Sequence, residues 1–195
     1  LNEIFVGHRS HQSARYTLKL GQRSERQSSS GLIVATGTGA TGWAASILLA
    51  TRRSLDLTPT AARLGLLVRE PWPGPRTGTS LVAEVVEQEP VVVTSEMDYG
   101  GTVFADGIES DRLSFAWGRS VSIKPAERRL MLAELLTGEV HECPLARMVI
   151  TIIFKVSVHI EDEYGPAGRV VSLVVSSAAI VETVANHIHQ PIQTA

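Results

Sequence analysis

Apolar and polar positions alternate with a period of two along most of the chain. Leu1 to Gly7 (LNEIFVG) sets Ile4 and Val6 against Phe5, and Ala14 to Leu20 (ARYTLKL) sets Tyr16, Leu18 and Leu20 against Thr17 and Lys19. Both patterns predict strands. Gln22 to Ser30 is polar and serine-rich and is expected to be a surface loop; Gly31 to Ala35 is a short buried strand. Trp43 to Arg52 then carries helix formers with an apolar face at Trp43, Ile47 and Leu48. Further short strands are predicted at Arg63 to Val68, Leu81 to Glu87, Val91 to Thr94, Thr102 to Ala105, Arg112 to Phe115, Ser120 to Lys124 and Arg129 to Ala133. Turn signals separate them, among them Pro71 to Pro75, Gly100 with Gly101, Gly107, Gly118 and Pro125. A doubly wound fold would insert helical patterns between strands. The expectation is therefore an α+β, mostly β fold, with stacked antiparallel sheets or a β-sandwich and few helices.

The character changes after Gly138. Val149 to Ile160 (VITIIFKVSVHI) is one long alternating strand, Arg169 to Val175 is its expected hairpin partner across a Pro and Gly turn, and Ala178 to His187 is a candidate terminal helix. This divides the chain into a domain over 1–137 and an extension over 138–195.

Composition narrows the function classes. With 44% apolar and 19% charged residues, the 195-residue chain is globular, and its 18 basic and 20 acidic residues leave a formal charge of −2. Such a balance offers no electrostatic footprint for nucleic acid or an anionic membrane. The stretch Val170 to Val181 is too short and too interrupted by serine to span a bilayer. A single cysteine, Cys143, excludes an internal disulfide and a multi-cysteine zinc site and points to a reducing, cytoplasmic setting. The histidines at 8 and 11, 141, and 187 and 189 complete no ligand set, so no metal site is expected. The chain opens at Leu1 on what reads as mid-domain strand, which creates the expectation that it is cut from something longer.

Candidate chemistry concentrates in Thr36–Gly42 (TGTGATG), between a predicted strand and a predicted helix. Gly37, Gly39 and Gly42 fit G-x-G-x-x-G, and Asp56 lies near where a ribose-binding acid would fall. A Rossmann site needs Asp56 to end a second parallel strand. LDLTP is short and ends in proline, so that reading fails. The physical content of the loop remains. Gly37 and Gly39 would let backbone N–H groups approach a phosphate, while Thr36, Thr38 and Thr41 supply hydroxyls. The helix opening near Gly42 aims its positive end at the same place. The alternative is a glycine turn required by strand-to-helix geometry.

Gly31 to Ser46 (GLIVATGTGATGWAAS) resembles the signature of the NAD kinase family, in which a strand enters a T-P-T-G-S-T-A-Y loop followed by a helix. Asn2 and Glu3 resemble that family's N-E pair, and Asp106 with Gly107 its late D-G. The T-G-T-G form and the R-E-P at Arg69 to Pro71 are similar to the divergent branch that includes the mitochondrial enzymes.

The resemblance covers about Leu1 to Ala133 and implies a C-terminal, nucleotide-binding domain. It assigns Asn2, Glu3, Thr41, Gly42, Trp43, Ser46 and Asp106 to NAD, and Thr36, Gly37, Thr38 and Gly39 to the phosphate loop. Trp43 in place of the family's Tyr keeps a stacking surface and equally begins the apolar face of the helix. Asp106 faces the nucleotide or simply forms an Asp-Gly turn. Ser30 stands where many bacterial members carry an Asp at a subunit contact, which puts that contact in doubt.

The implied parent transfers the ATP γ-phosphoryl to the NAD 2′-hydroxyl with Mg²⁺ and forms homo-oligomers. Its catalytic aspartate belongs to a G-G-D-G loop that is absent from this sequence, so no catalytic residue is expected in this chain. Binding without turnover is the expectation. Two alternatives stand beside it: a non-catalytic dinucleotide-binding or oligomerisation module, and an NAD-dependent oxidoreductase fragment, which a βαβ arrangement around Gly37 would favour.

Overall fold

The computed structural model describes residues 1–135 and 148–162. Two antiparallel sheets face each other, and one α-helix lies among the described residues. The strands are β1 (Glu3–His8), β2 (Ala14–Leu20), β3 (Arg23–Ser29), β4 (Leu32–Ala35), β5 (Leu64–Val68), β6 (Ala83–Val86), β7 (Val91–Ser95), β8 (Gly101–Ala105), β9 (Leu113–Ser114), β10 (Arg119–Leu135) and β11 (Met148–Asp162); α1 is Trp43–Thr51. The first sheet runs β6-β5-β4-β1-β8-β9 and the second β11-β10-β7-β2-β3.

Period-two alternation decides which side chains meet. Ile4 and Val6 of β1, Leu32 and Val34 of β4, and Leu64, Leu66 and Val68 of β5 point at the second sheet. There they pack with Tyr16 and Leu18 of β2, Val91 and Val93 of β7, and Val121 and Ile123 of β10. The residues between them, Phe5, Ile33, Ala35 and Leu67, face the other way and form a smaller core with Ala44, Trp43, Ile47 and Leu48 of α1. The central strands of the first sheet are thus covered on both faces, which is why β4 and β5 read as continuous apolar runs.

The helix ends in a left-handed Arg52 (φ 54°), with the Arg53 N–H returning to Leu48 O at 2.9 Å. The flanking strands β4 and β5 are adjacent and antiparallel, with Leu32 opposite Val68. No βαβ unit surrounds Gly37, and the oxidoreductase reading loses its support.

Two expectations are corrected. Gln22 to Ser30 is not a loop: Arg23–Ser29 forms β3, paired along its length with β2. Its two fully inward positions are Gln27 and Ser29, polar residues that hide the hydrophobic alternation. They are accommodated because the Gln27 amide donates to Leu81 O (3.0 Å) and Ser29 Oγ lies 2.7 Å from the Tyr16 hydroxyl. The strands expected at 120–124 and 129–133 are one strand, β10, with a register shift between Pro125 and Arg129. A bulge accommodates the missing proline N–H there. The expected strand at 149–160 lies within β11, which pairs with β10. The expected partner at 169–175 and the expected helix at 178–187 lie outside the described residues, as do Cys143, His141, His187 and His189.

Candidate functional site

Strand direction assembles the site. Because β1 is antiparallel to both neighbours, its first residues sit beside the last residues of β4 and β8: Glu3 lies opposite Ala35, and Ile4 opposite Ala105. Three segments far apart in sequence therefore share one rim. The Thr36 N–H donates to Asn2 O (2.8 Å), and the Thr36 hydroxyl lies within 3.1 Å of the same oxygen. The N–H groups of Asn2 and Glu3 both donate to Asp106 Oδ1, at 2.6 and 3.2 Å, while the Asp106 N–H returns to Glu3 O at 3.0 Å. Asp106 and Gly107 both take left-handed backbone (φ 50° and 72°). The Asp-Gly pair is a turn, and its carboxylate is used to tie down the start of β1.

Burial raises the Glu3 carboxyl above its ordinary pKa, and the neighbouring Asp106 adds to the rise against a weaker opposing pull from the amino terminus.

Gly37 and Gly39 are buried. A Cβ on Gly37 would collide with the Thr58 carbonyl, and one on Gly39 with the Asn2 carbonyl. The glycines are required by the protein's own backbone. The Gly39 N–H donates to Thr36 Oγ1 (3.2 Å), Thr36 Oγ1 and Thr38 Oγ1 are 2.8 Å apart, and the Gly42 N–H closes a 3₁₀ turn on Gly39 O (3.1 Å). What the loop exposes is its far end. Thr41, Gly42 and Ser46 are solvent-accessible, with the Thr41 and Ser46 hydroxyls donating locally to Thr38 O (3.3 Å) and Trp43 O (2.8 Å).

Trp43, half-buried at the helix start, lies nearly parallel to Phe5 (7° between planes, 5.8 Å between centroids), and the Arg69 guanidinium carbon is 4.9 Å from the indole centroid. Phe5 in turn meets Phe104 across the strand pair at 4.8 Å. A cavity of about 390 Å³ opens beside these rings on the outer face of the first sheet. Arg69 also ties the chain locally, its N–H donating to Gly31 O (2.9 Å) and its guanidinium to Ser30 O (3.4 Å). Of this group only Trp43 was a predicted site residue. Phe5 and Phe104 carry no signal singly, because their meeting depends on the long-range pairing of β1 with β8.

No protein-family model and no curated protein matches the chain. Among solved structures it is similar to an NAD kinase from Archaeoglobus fulgidus in complex with ATP, with a TM-score of 0.50 and 25% sequence identity over 65% of this chain and 45% of that one. Yeast NADH kinase complexed with NADH aligns with a TM-score of 0.46 and 18% identity, over 61% of this chain and 32% of that one. The chain spans less than half the length of each. The fold is NAD kinase-like, as the resemblance in the loop implied. No described helix is long and apolar enough to cross a membrane.

Proposed function

We propose that this chain carries the dinucleotide-binding portion of an NAD kinase-like phosphotransferase, whose parent phosphorylates the NAD 2′-hydroxyl with ATP. One observation carries the proposal: the N-E, T-G-T-G and D-G segments, recognised separately in sequence, meet through direct hydrogen bonds at one rim. Similarity to the ATP-bound archaeal NAD kinase supports it.

In this reading Asn2 and Glu3 hold the adenosine portion, and Thr41, Gly42 and Ser46 meet the dinucleotide at the exposed end of the loop. Trp43 supplies a ring face. Thr36, Gly37, Thr38 and Gly39 shape the phosphate loop, and Asp106 fixes the strand that carries Asn2 and Glu3. Among the described residues no group of three or more His, Cys, Asp or Glu is placed to hold a metal ion. These residues offer no resident Mg²⁺ site, and no step is assigned to the metal. Binding without turnover by this chain, a homo-oligomeric parent and a cytoplasmic setting belong to the same proposal.

The test is titration of NAD into the 195-residue chain by calorimetry. Trp43→Ala should weaken binding about fivefold or more, since aromatic stacking is worth on the order of 1 kcal/mol. A wild-type chain that takes up no NAD, or a Trp43→Ala variant that binds as tightly, overturns the proposal.

A further inference from the structure

Exposed aromatic side chains gather at one end of the sandwich. Because His8 lies opposite Gly101 and Val6 opposite Leu32, the end of β1 and the starts of β4 and β8 sit together, away from the rim at Glu3, Ala35 and Ala105. Trp72 joins this end through its N–H, which donates to Ser28 O (2.7 Å) just before β4 begins. Tyr99 stands two residues ahead of Gly101, and Trp117 is brought there by the Gly118 N–H on Ser95 O (3.0 Å). These are three of the five large apolar side chains exposed among the described residues, and Trp72 is the most open of the three at 71%.

The Trp72 loop is ordered by its own bonds. Gly74 and Thr77 exchange N–H to carbonyl bonds at 3.2 Å around Pro75, the Thr77 hydroxyl donates to Trp72 O (2.9 Å), and the Gly78 N–H returns to Arg26 O (2.9 Å). A hollow of about 350 Å³ adjoins the indole, lined also by Pro75, Arg15, Arg26 and Arg76 and by no carboxylate. Arg26 is held by Glu96 at 2.5 Å, whereas Arg15 reaches Asp98 only at 3.6 Å. Arg76 makes no ion pair among the described residues. Exposed tryptophan and arginine on a fixed framework are what protein contacts are built on, and this hollow fits an apolar side chain flanked by carboxylates.

The chain carries such a group at its other end. Directly beyond Asp106 and Gly107, Ile108 is 48% exposed, and Glu109–Asp111 makes one 3₁₀ turn. Glu109 and Asp111 are exposed and form no ion pair among the described residues; the Arg112 guanidinium donates to the Glu109 backbone carbonyl (3.2 Å) instead. One copy cannot close this contact on itself, because hollow and corner lie at opposite ends of the sandwich.

We propose that two copies pair antiparallel about a two-fold axis, the corner at 108–111 of each seated in the Trp72 hollow of the other, with its carboxylates on Arg15 and Arg76. A two-fold pair makes the contact twice and leaves neither hollow open to a further copy. This names the contact behind the homo-oligomer in the function proposed above and rests on that part of it.

The test is sedimentation velocity on the 195-residue chain over a concentration series, with calorimetry of NAD alongside. The wild type should associate to a dimer. Trp72→Ala, Arg76→Glu and Asp111→Arg should each weaken the dimer about tenfold or more. Arg76→Glu with Asp111→Arg in one chain should restore most of the association, since every contact then carries the reversed pair. All three side chains are exposed, so an unchanged melting temperature checks that the fold survives. A wild-type chain that stays monomeric, or a double reversal that associates no better than either single one, overturns the inference. NAD uptake retained in that case leaves the dinucleotide reading standing, and a dimer that takes up no NAD overturns that reading alone.

Discussion

Replacing Gly39 by alanine isolates what the T-G-T-G loop does for the protein itself. The added methyl would run into the Asn2 carbonyl and stand 3.0 Å from Asn2 Cα. These are backbone atoms, and they are held in place: Asn2 O accepts from the Thr36 N–H at 2.8 Å and lies 3.1 Å from the Thr36 hydroxyl, and the Asn2 N–H donates to Asp106 at 2.6 Å. Overpacking costs about 1–3 kcal/mol. Loosening one or two of these hydrogen bonds adds about 1 kcal/mol each, for a total of about 2–5 kcal/mol. At about 3 kcal/mol, a domain of this size loses roughly 6–12 °C in Tm. Scanning calorimetry measures it, with Gly42→Ala as the control, since a Cβ there meets nothing closer than Gly39 O at 3.6 Å. Gly39→Ala melting within about 1 °C of wild type, or Gly42→Ala losing as much, would refute the argument that backbone contact sets the glycine requirement.

Two further outcomes follow from buried or semi-buried polar groups. Burial pushes the Glu25 carboxyl up, but the Ser80 hydroxyl, the Gln27 amide and the N–H groups of Ser80 and Leu81 together hold its pKa below the ordinary value of 4.5. A depressed carboxylate stabilises the fold above its unfolded pKa, and that contribution is lost as pH falls through the lower folded value. Glu25→Gln should therefore flatten the acid limb of stability in urea titrations carried from neutral pH down past 4.5; an unchanged limb contradicts the assignment. Ser29→Ala removes the partner of the buried Tyr16 hydroxyl (2.7 Å) and of the Gly31 N–H (3.0 Å), and should cost about 1–3 kcal/mol in chemical denaturation. Adding Tyr16→Phe should recover part of that loss, and a double variant less stable than the single one would exclude the pairing.

Much of the fold was legible because alternation and turn chemistry are local. Ala14–Leu20 and the helix start at Trp43 emerged at their observed positions, and the spacing of turn signals foretold antiparallel sheets. Where reading failed, the information was not local. β3 hides because Gln27 and Ser29 are satisfied by Leu81 and Tyr16, residues 54 and 13 positions away. Pro125 reads as a stop, yet the sheet continues past it through a register shift set by the partner strand. In the candidate site, Asn2, Glu3, Trp43 and Asp106 were singled out through the family resemblance, whereas Phe5 and Phe104 were not. Their common cavity exists only once β1 and β8 pair.

The same distinction bears on what the T-G-T-G motif reports. Gly37 and Gly39 are needed to let the loop pass beneath the Thr58 and Asn2 carbonyls, so their presence speaks first for the fold. Yet that close passage is also what draws Thr36 onto Asn2 and hence onto the strand start that Asp106 secures. A side chain at either glycine would push these segments apart before it reached any ligand. Stability and binding should therefore fall together for substitutions at the buried glycines. At the exposed Thr41, whose hydroxyl bonds only locally, binding should fall by itself, whereas Trp43, stacked on Phe5 in the smaller core, should lose both. Loss of affinity without loss of Tm is accordingly the signature that separates ligand contacts from scaffold, and it is the criterion by which each residue of this rim and cavity can be sorted.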